Sequence, residues 1–174
     1  MTARRLSTIL AAMAAALVAP APLHAAGIPA STNADATVAV LKPLTLISTD
    51  SLDFGDLSVT TPGTAVLNPN TDALTTTGGV VSLGGGPHPA EFTGAATRFS
   101  LILIQIPGAA VTLTRAGGTE TMTVSNWTLE GGGLPIRFVN SGTFQFKVGG
   151  RLNVGANQAD GTYVGTFNVT VQYF

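Results

Sequence analysis

The chain closes on a strict two-residue alternation. Its last fourteen residues read Gly161-Thr-Tyr-Val-Gly-Thr-Phe-Asn-Val-Thr-Val-Gln-Tyr-Phe174. Tyr163, Phe167, Val169, Val171 and Tyr173 share one parity, interrupted only by Gly165. Thr162, Thr166, Asn168, Thr170 and Gln172 fill most of the other. Side chains in a strand alternate between faces, so this pattern demands a strand with one face buried and one in water. A helix would scatter the same residues around its circumference. The segment therefore commits the domain to a sheet that covers a core, because a half-buried strand must join one.

The opposite end predicts export. Arg4 and Arg5 precede an apolar run at 6–18, followed by Pro20, Pro22 and the small residues Ala25 and Ala26. A basic start, a short apolar core and a small-residue cleavage site make up a secretory signal peptide. The run is shorter than the ~20 apolar residues that span a bilayer. Cleavage is expected after Ala25, so 1–25 is the signal peptide, 26–41 an N-terminal extension or first strand, and 42–174 the sandwich domain. No second long apolar run follows, and no membrane span is expected after cleavage.

The mature portion, about 149 residues, suits one domain. A domain of that size buries ~68–70% of its unfolded surface, enough for a core without disulfides. That matters, because the chain has no Cys. Of its eight Lys and Arg residues two fall in the signal peptide, leaving six against nine Asp and Glu. This balance excludes the basic footprint of a nucleic-acid-binding protein.

Short β-prone runs recur after the signal peptide, separated by Gly, Pro, Asn and Asp. Strands are predicted at 34–41, 44–47, 64–67, 79–83, 90–92, 98–106, 110–115, 121–129, 136–139 and 143–148, and over the terminal segment. Leu52-Asp-Phe-Gly55 places Leu52 and Phe54 inward, with Gly55 turning the chain. Turns are predicted at Asn68-Pro-Asn70, Gly84-Gly-Gly-Pro87, Gly117-Gly118, Gly131-Gly-Gly133, Gly149-Gly150 and Asp160-Gly161. Many short strands at this spacing describe an all-β, immunoglobulin-like antiparallel sandwich. One run is apolar on both faces: Phe99, Leu101 and Leu103 on one side, Ile102, Ile104 and Ile106 on the other. A sandwich strand needs one wet face, so either a loop covers the second face or Ile102, Ile104 and Ile106 line a groove or contact a neighbouring subunit. Trp127 falls in phase with Thr121, Thr123, Ser125 and Leu129, opposite Met122, Val124 and Thr128, a mixed face that predicts a rim position in the core.

Residues for catalysis are scarce. His88 is the one His left after cleavage, set in a Gly/Pro loop, and there is no thiol. No second His offers a metal pair, and no Gly-x-Ser-x-Gly elbow occurs. Asp50, Asp53 and Asp56 recur every third residue, but that period does not gather strand side chains on one face, and Asp is common at turns. No catalytic residue, metal or cofactor is expected, and the chain reads as a non-enzyme.

Three motifs carry a resemblance: Leu52-Asp-Phe-Gly55, Val148-Gly-Gly-Arg-Leu152, and the terminal segment from Gly161 to Tyr173. On these the chain resembles the bacterial family known as domain of unknown function 4402. It is more distantly similar to the spore coat protein U domain, which includes subunits of archaic chaperone–usher pili. An outer-membrane barrel ends on a Phe of its apolar face, whereas here the apolar face ends on the penultimate Tyr173, as in fimbrial subunits. The resemblance implies a cell-surface structural protein assembled by donor-strand exchange. In that scheme a sandwich lacking one strand is held by a periplasmic chaperone, delivered to an outer-membrane usher, and completed by the N-terminal segment of a like subunit. The donor would lie within 28–40, with Ala34, Ala36, Val38 and Val40 as pocket side chains. Gly161, Tyr163, Phe167, Val169, Val171 and Tyr173 would form the terminal strand that meets the chaperone. The alternative is a self-contained secreted sandwich that uses 26–41 as its own first strand and acts as a binding or matrix module.

Overall fold

The structure, a computed structural model, describes residues 37–174. The expected signal peptide, 1–25, and the donor candidates Ala34 and Ala36 lie outside these residues. Residues Ala39–Phe174 form one compact unit. The protein is all-β and antiparallel, with a sandwich architecture and no helix among the described residues. Hence no helix there is long and apolar enough to cross a membrane.

Eleven strands follow in chain order: β1 Thr45–Asp50, β2 Asp56–Leu67, β3 Leu74–Gly84, β4 Ala90–Ala95, β5 Ser100–Gln105, β6 Val111–Arg115, β7 Thr121–Leu129, β8 Ile136–Val139, β9 Thr143–Val154, β10 Tyr163–Val164 and β11 Thr170–Tyr173. Eight form one sheet in the order β1-β4-β9-β7-β6-β10, with β2 beside β9 and β3 beside β2. The other three form a smaller sheet, β11-β5-β8.

β9 organises the larger sheet. Its first half pairs with β4, Ala90 opposite Val148, and its second half pairs with β2, Ala65 opposite Leu152. Gly149 and Gly150, predicted to turn, instead carry the strand straight through this change of partner. A Cβ on Gly149 would run into the carbonyl oxygen of Leu67 and lie 2.7 Å from Pro69 Cδ. A Cβ on Gly150 would lie 3.0 Å from Val124 Cγ1. The glycine pair allows close approach of neighbouring backbone and side chains, not chain reversal.

Two apolar clusters result. The first lies between the sheets and joins Phe92 of β4, Ile102 and Ile104 of β5, Val139 of β8, and Phe146 and Val148 of β9. Phe92 and Phe146 stack at 5.2 Å between centroids. The second joins Phe54, Ala65, Leu67, Val80, Val124, Leu152 and Val154.

The first cluster corrects the interface expectation. Ile102 is 0% and Ile104 2% exposed, and Ile106 packs half-buried against them. Those Ile residues form the inner face of the smaller sheet. It is the opposite face that stays open, with Phe99 64% and Leu101 41% exposed. Alternation alone left both faces of β5 equally apolar, and only the position of β4 and β9 beneath it selects the Ile face.

Trp127 keeps its predicted phase with Leu129 and is half-buried, but it parts from Thr121, Thr123 and Ser125. A bulge between Ser125 and Thr128 inserts an extra residue into β7, and Asn126 adopts φ +49° there. Asn tolerates this left-handed conformation better than most residues. The bulge turns Trp127 onto the side of Val124 and Leu129, where it packs against both clusters. Its indole N–H donates to the Ala109 carbonyl at 3.0 Å.

On the wet face of β9, Lys147 Nζ lies 2.7 Å from Asp72 and 3.1 Å from Glu91. The hydrogen bond to Asp72, and then that to Glu91, hold the ammonium above its ordinary pKa. A raised folded-state pKa contributes stability that is full below the unfolded value and fades as pH rises through the folded one. Lys147→Met is therefore expected to melt slightly below wild type at neutral pH, the small gap typical of solvent-exposed pairs. The two melting curves should converge as pH climbs past the ordinary lysine value of about 10.4. A gap that persists at alkaline pH would assign the effect to lost packing instead.

Candidate functional site

The smaller sheet covers the first cluster but not all of the second. What remains open is a cleft of about 820 Å³. One wall is the chain at 51–59, the other the chain at 158–165 with Phe167, and the floor comes from β6, β7 and β9.

The first wall grows from the Leu-x-Phe-Gly motif. Leu52 is half-buried and Phe54 is 8% exposed, both turned toward the core as predicted. Asp53 and His88 exchange backbone hydrogen bonds of 3.0 and 2.9 Å, which pin the segment to the start of β4. Asp53 Oδ1 then accepts the Gly55 N–H at 2.8 Å, closing a local turn of the kind Asp favours. Gly55 sits at φ +67°, and a Cβ there would strike the Gly84 carbonyl, so only glycine fits. Asp53 thus serves the turn, and Asp50 Oδ1 accepts the Ser51 N–H at 2.9 Å. Among the described residues no three His, Cys, Asp or Glu side chains group so as to hold a metal ion. His88 Nδ1 stands 3.6 Å from Asp50 Oδ2.

The second wall contains the terminal motif. Gly161 adopts φ +142°, and a Cβ there would lie 2.9 Å from Arg115 Nε. Arg115 donates to the Asp160 carbonyl at 2.9 Å and pairs with Glu120 at 3.0 Å, so its guanidinium closes over the glycine. Tyr163 Oη donates to the Ala159 carbonyl at 2.7 Å and lies 2.6 Å from Gln158 Nε2, which fixes the end of the cleft. Phe167 rests on Trp127 at 4.6 Å between centroids.

The terminal segment is not one continuous strand. Tyr163 and Val164 pair with β6 in the larger sheet, and Thr170–Tyr173 pair with β5 in the smaller one. Residues 165–169 between them belong to no strand. The segment crosses from one sheet to the other, yet its parity survives the crossing. Phe167, Val169, Val171 and Tyr173 are half-buried, while Asn168, Thr170, Gln172 and Phe174 are exposed. The inward residues pack on the first cluster without being fully covered. The Tyr173 hydroxyl donates to the Lys42 carbonyl at 2.7 Å and accepts the Thr97 N–H at 2.8 Å, tying the end of the domain to its beginning.

Both walls offer unpaired backbone. In β2, residues 56–59 pair with β3 alone, because the ladder to β9 begins only at Gly63. The opposite wall is the unpaired stretch after β10. Beneath lie Leu57, Val59, Val111, Leu113 and Met122, all half-buried. An apolar floor between an open strand edge and a stretch of unpaired backbone is what an added strand requires: backbone donors and acceptors at the sides, pockets for alternate side chains below.

Of the donor candidates, Val38 and Val40 are 87% and 89% exposed, and residues 37–44 belong to no strand. The cleft itself was not anticipated as a set of residues. The recurring half-apolar character of β6 and β7 was its only sequence signal.

The fold and cleft define a class: an all-β sandwich whose larger sheet is incompletely covered. Residues 44–173 match the family described as Domain of unknown function (DUF4402), and the chain belongs to that family. No curated protein and no solved structure matches the chain.

Proposed function

We propose that the protein is a secreted, cell-surface structural subunit, related to pilus subunits, whose cleft receives a strand from another copy. The observation that carries this reading is the pairing of an apolar floor with unpaired backbone on both walls, at 56–59 and 165–169. The donor is the segment 28–40, exported behind the signal peptide. Val38 and Val40, exposed and outside any strand, supply its larger side chains. Ala34 and Ala36 supply less, since each Å² of extra apolar area contributes ~25 cal/mol. A periplasmic chaperone occupies the cleft before assembly, and an outer-membrane usher is the site of exchange.

The test is refolding of the mature chain from denaturant at low concentration, with and without a synthetic peptide of residues 28–41. The expected result is an aggregation-prone chain that the peptide renders monomeric and raises in melting temperature. At high concentration without peptide, ladder-like oligomers should form, and Val38→Asp with Val40→Asp should abolish them. A chain that refolds alone as a cooperative monomer, indifferent to peptide, would establish the self-contained sandwich instead.

A further inference from the structure

A sandwich sheet normally presents its outer face to water, yet the smaller sheet does not present a polar one. Pairing aligns Phe174, Leu101 and Phe138 across β11, β5 and β8, and Ile136 lies opposite Leu103 in the next row. Phe174 is 72%, Phe138 60%, Leu101 41% and Ile136 40% exposed. Phe99 extends the face, its ring 6.4 Å from that of Phe138.

Phe99 supplies an independent observation. Its φ is +59°, a conformation that a bulky residue rarely adopts. The turn is held by the Phe99 N–H, which donates to the Val139 carbonyl at 2.7 Å. The result of this conformation is an aromatic ring directed into solvent, 64% exposed, with no burial gained in the single chain. Strain of that kind, kept without a packing return, points to a contact made outside the molecule.

We infer that the outer face of the β11-β5-β8 sheet is a self-association surface that packs against the same face of a second copy. The area suits this partner. At ~200 Å² per Phe and less for Leu and Ile, the face exposes about 500 Å² of apolar surface. That is at the upper end for a monomer's largest patch, ~300–600 Å². Two such faces bury about 1,000 Å² before any polar rim, the floor for a specific interface. The charge also suits it. Arg98, its guanidinium 5.2 Å from the Phe99 ring centroid, stands at the edge. The side chains of the aligned rows carry no charge, so a two-fold contact opposes no like-charged side chains at its centre. An anionic membrane surface would call for a basic rim, which one Arg does not make. A flat apolar sheet face meets its natural complement in another, since sheets stack ≈ 10 Å apart with interdigitated side chains.

This surface is on the opposite side of β5 from the core and needs no added strand. It forms a closed pair, whereas strand addition propagates. Sedimentation of the full mature chain from about 1 μM to about 200 μM, with the 28–41 peptide present in excess so that strand addition is capped, covers the affinity range of such a contact. The expected result is a concentration-dependent dimer. Phe138→Glu and, separately, Leu101→Lys should weaken it on the order of 30-fold or more, with melting temperature unchanged. Val38→Asp with Val40→Asp should leave it intact. If Phe138→Glu fails to fold, Leu101→Lys alone decides. A wild-type chain that is monomeric throughout, even one that floats with lipid vesicles, would overturn the inference. So would a dimer that survives both face variants, or one lost only in the Val38 and Val40 variant.

Discussion

Ile102→Ala is expected to lower the unfolding free energy by about 2–5 kcal/mol, the range for truncating a fully buried aliphatic side chain. Leu101→Ala, one residue away, is expected to cost less than about 1 kcal/mol, as surface substitutions do. The contrast follows from burial: Ile102 is 0% exposed and packs among Phe92, Val139 and Phe146, whereas Leu101 is 41% exposed on the outer face. Truncating Ile102 removes apolar contacts and leaves a cavity that the stacked Phe92 and Phe146 rings cannot close without moving. Truncating Leu101 removes a side chain that water already reaches. Urea denaturation of both variants at low concentration, where self-association does not contribute, measures the difference. A larger loss for Leu101→Ala than for Ile102→Ala would mean that β5 presents its other face to the core. The result discriminates sharply because a strand has only two faces, and a one-residue change of phase exchanges them completely.

Gly149→Ala should be among the more damaging additions of a single methyl group in the domain. Its Cβ would overlap the Leu67 carbonyl and press on Pro69 Cδ at 2.7 Å and Thr128 Oγ1 at 3.1 Å. The first of these is backbone of the neighbouring strand, which cannot rotate away. Overpacking of this kind costs typically ~1–3 kcal/mol, and displacement of the β2 ladder places this site at the upper end. Gly108→Ala is the control. Nothing lies within 4 Å of a Cβ at Gly108, so that change should be neutral or stabilise by ~0.4–1 kcal/mol through the unfolded chain. Thermal melts of the two variants give the comparison. A neutral Gly149→Ala would show that β2 and β9 separate more easily than their pairing implies.

The same glycine pair illustrates how far local pattern reaches. Gly-Gly between β-prone runs is a turn signal in most contexts. Here the runs on both sides belong to one twelve-residue strand, and the glycines admit β2 and β7 on its flanks. Nothing within the segment distinguishes the two uses, because the cause is backbone contributed by residues about eighty positions earlier. The strand at 143–148 was therefore predicted to stop where the observed strand continues to Val154. β2 was truncated for a related reason. Its first half alternates only at Leu57 and Val59 before Thr60, Thr61 and Pro62 interrupt the period, and residues 56–59 are held by the ladder to β3. β7 and β8 were legible residue by residue, since each sits within one sheet and keeps its period, apart from the bulge at Asn126.

The site divides in the same way. The inward parity of Phe167, Val169, Val171 and Tyr173 is a local property and was read from the sequence. That these residues are half-buried, and that the segment leaves one sheet for another at 165–169, depends on how little of the larger sheet the smaller one covers. Leu52 and Phe54 were legible as inward residues; the cleft they border was not, because it exists only between segments about a hundred residues apart.

By itself, then, the sequence determined the all-β class, the antiparallel sandwich and the phase of the terminal strand. Each follows from period-two patterning and turn chemistry, which act over a few residues at a time. Tertiary structure alone decided which apolar face of β5 became core, why Gly149 must be glycine, and where the sandwich stays open. Those outcomes depend on which distant strand lies alongside. A residue's burial is a property of its neighbours in space, and the alternation along a strand specifies two faces without saying which of them will be covered.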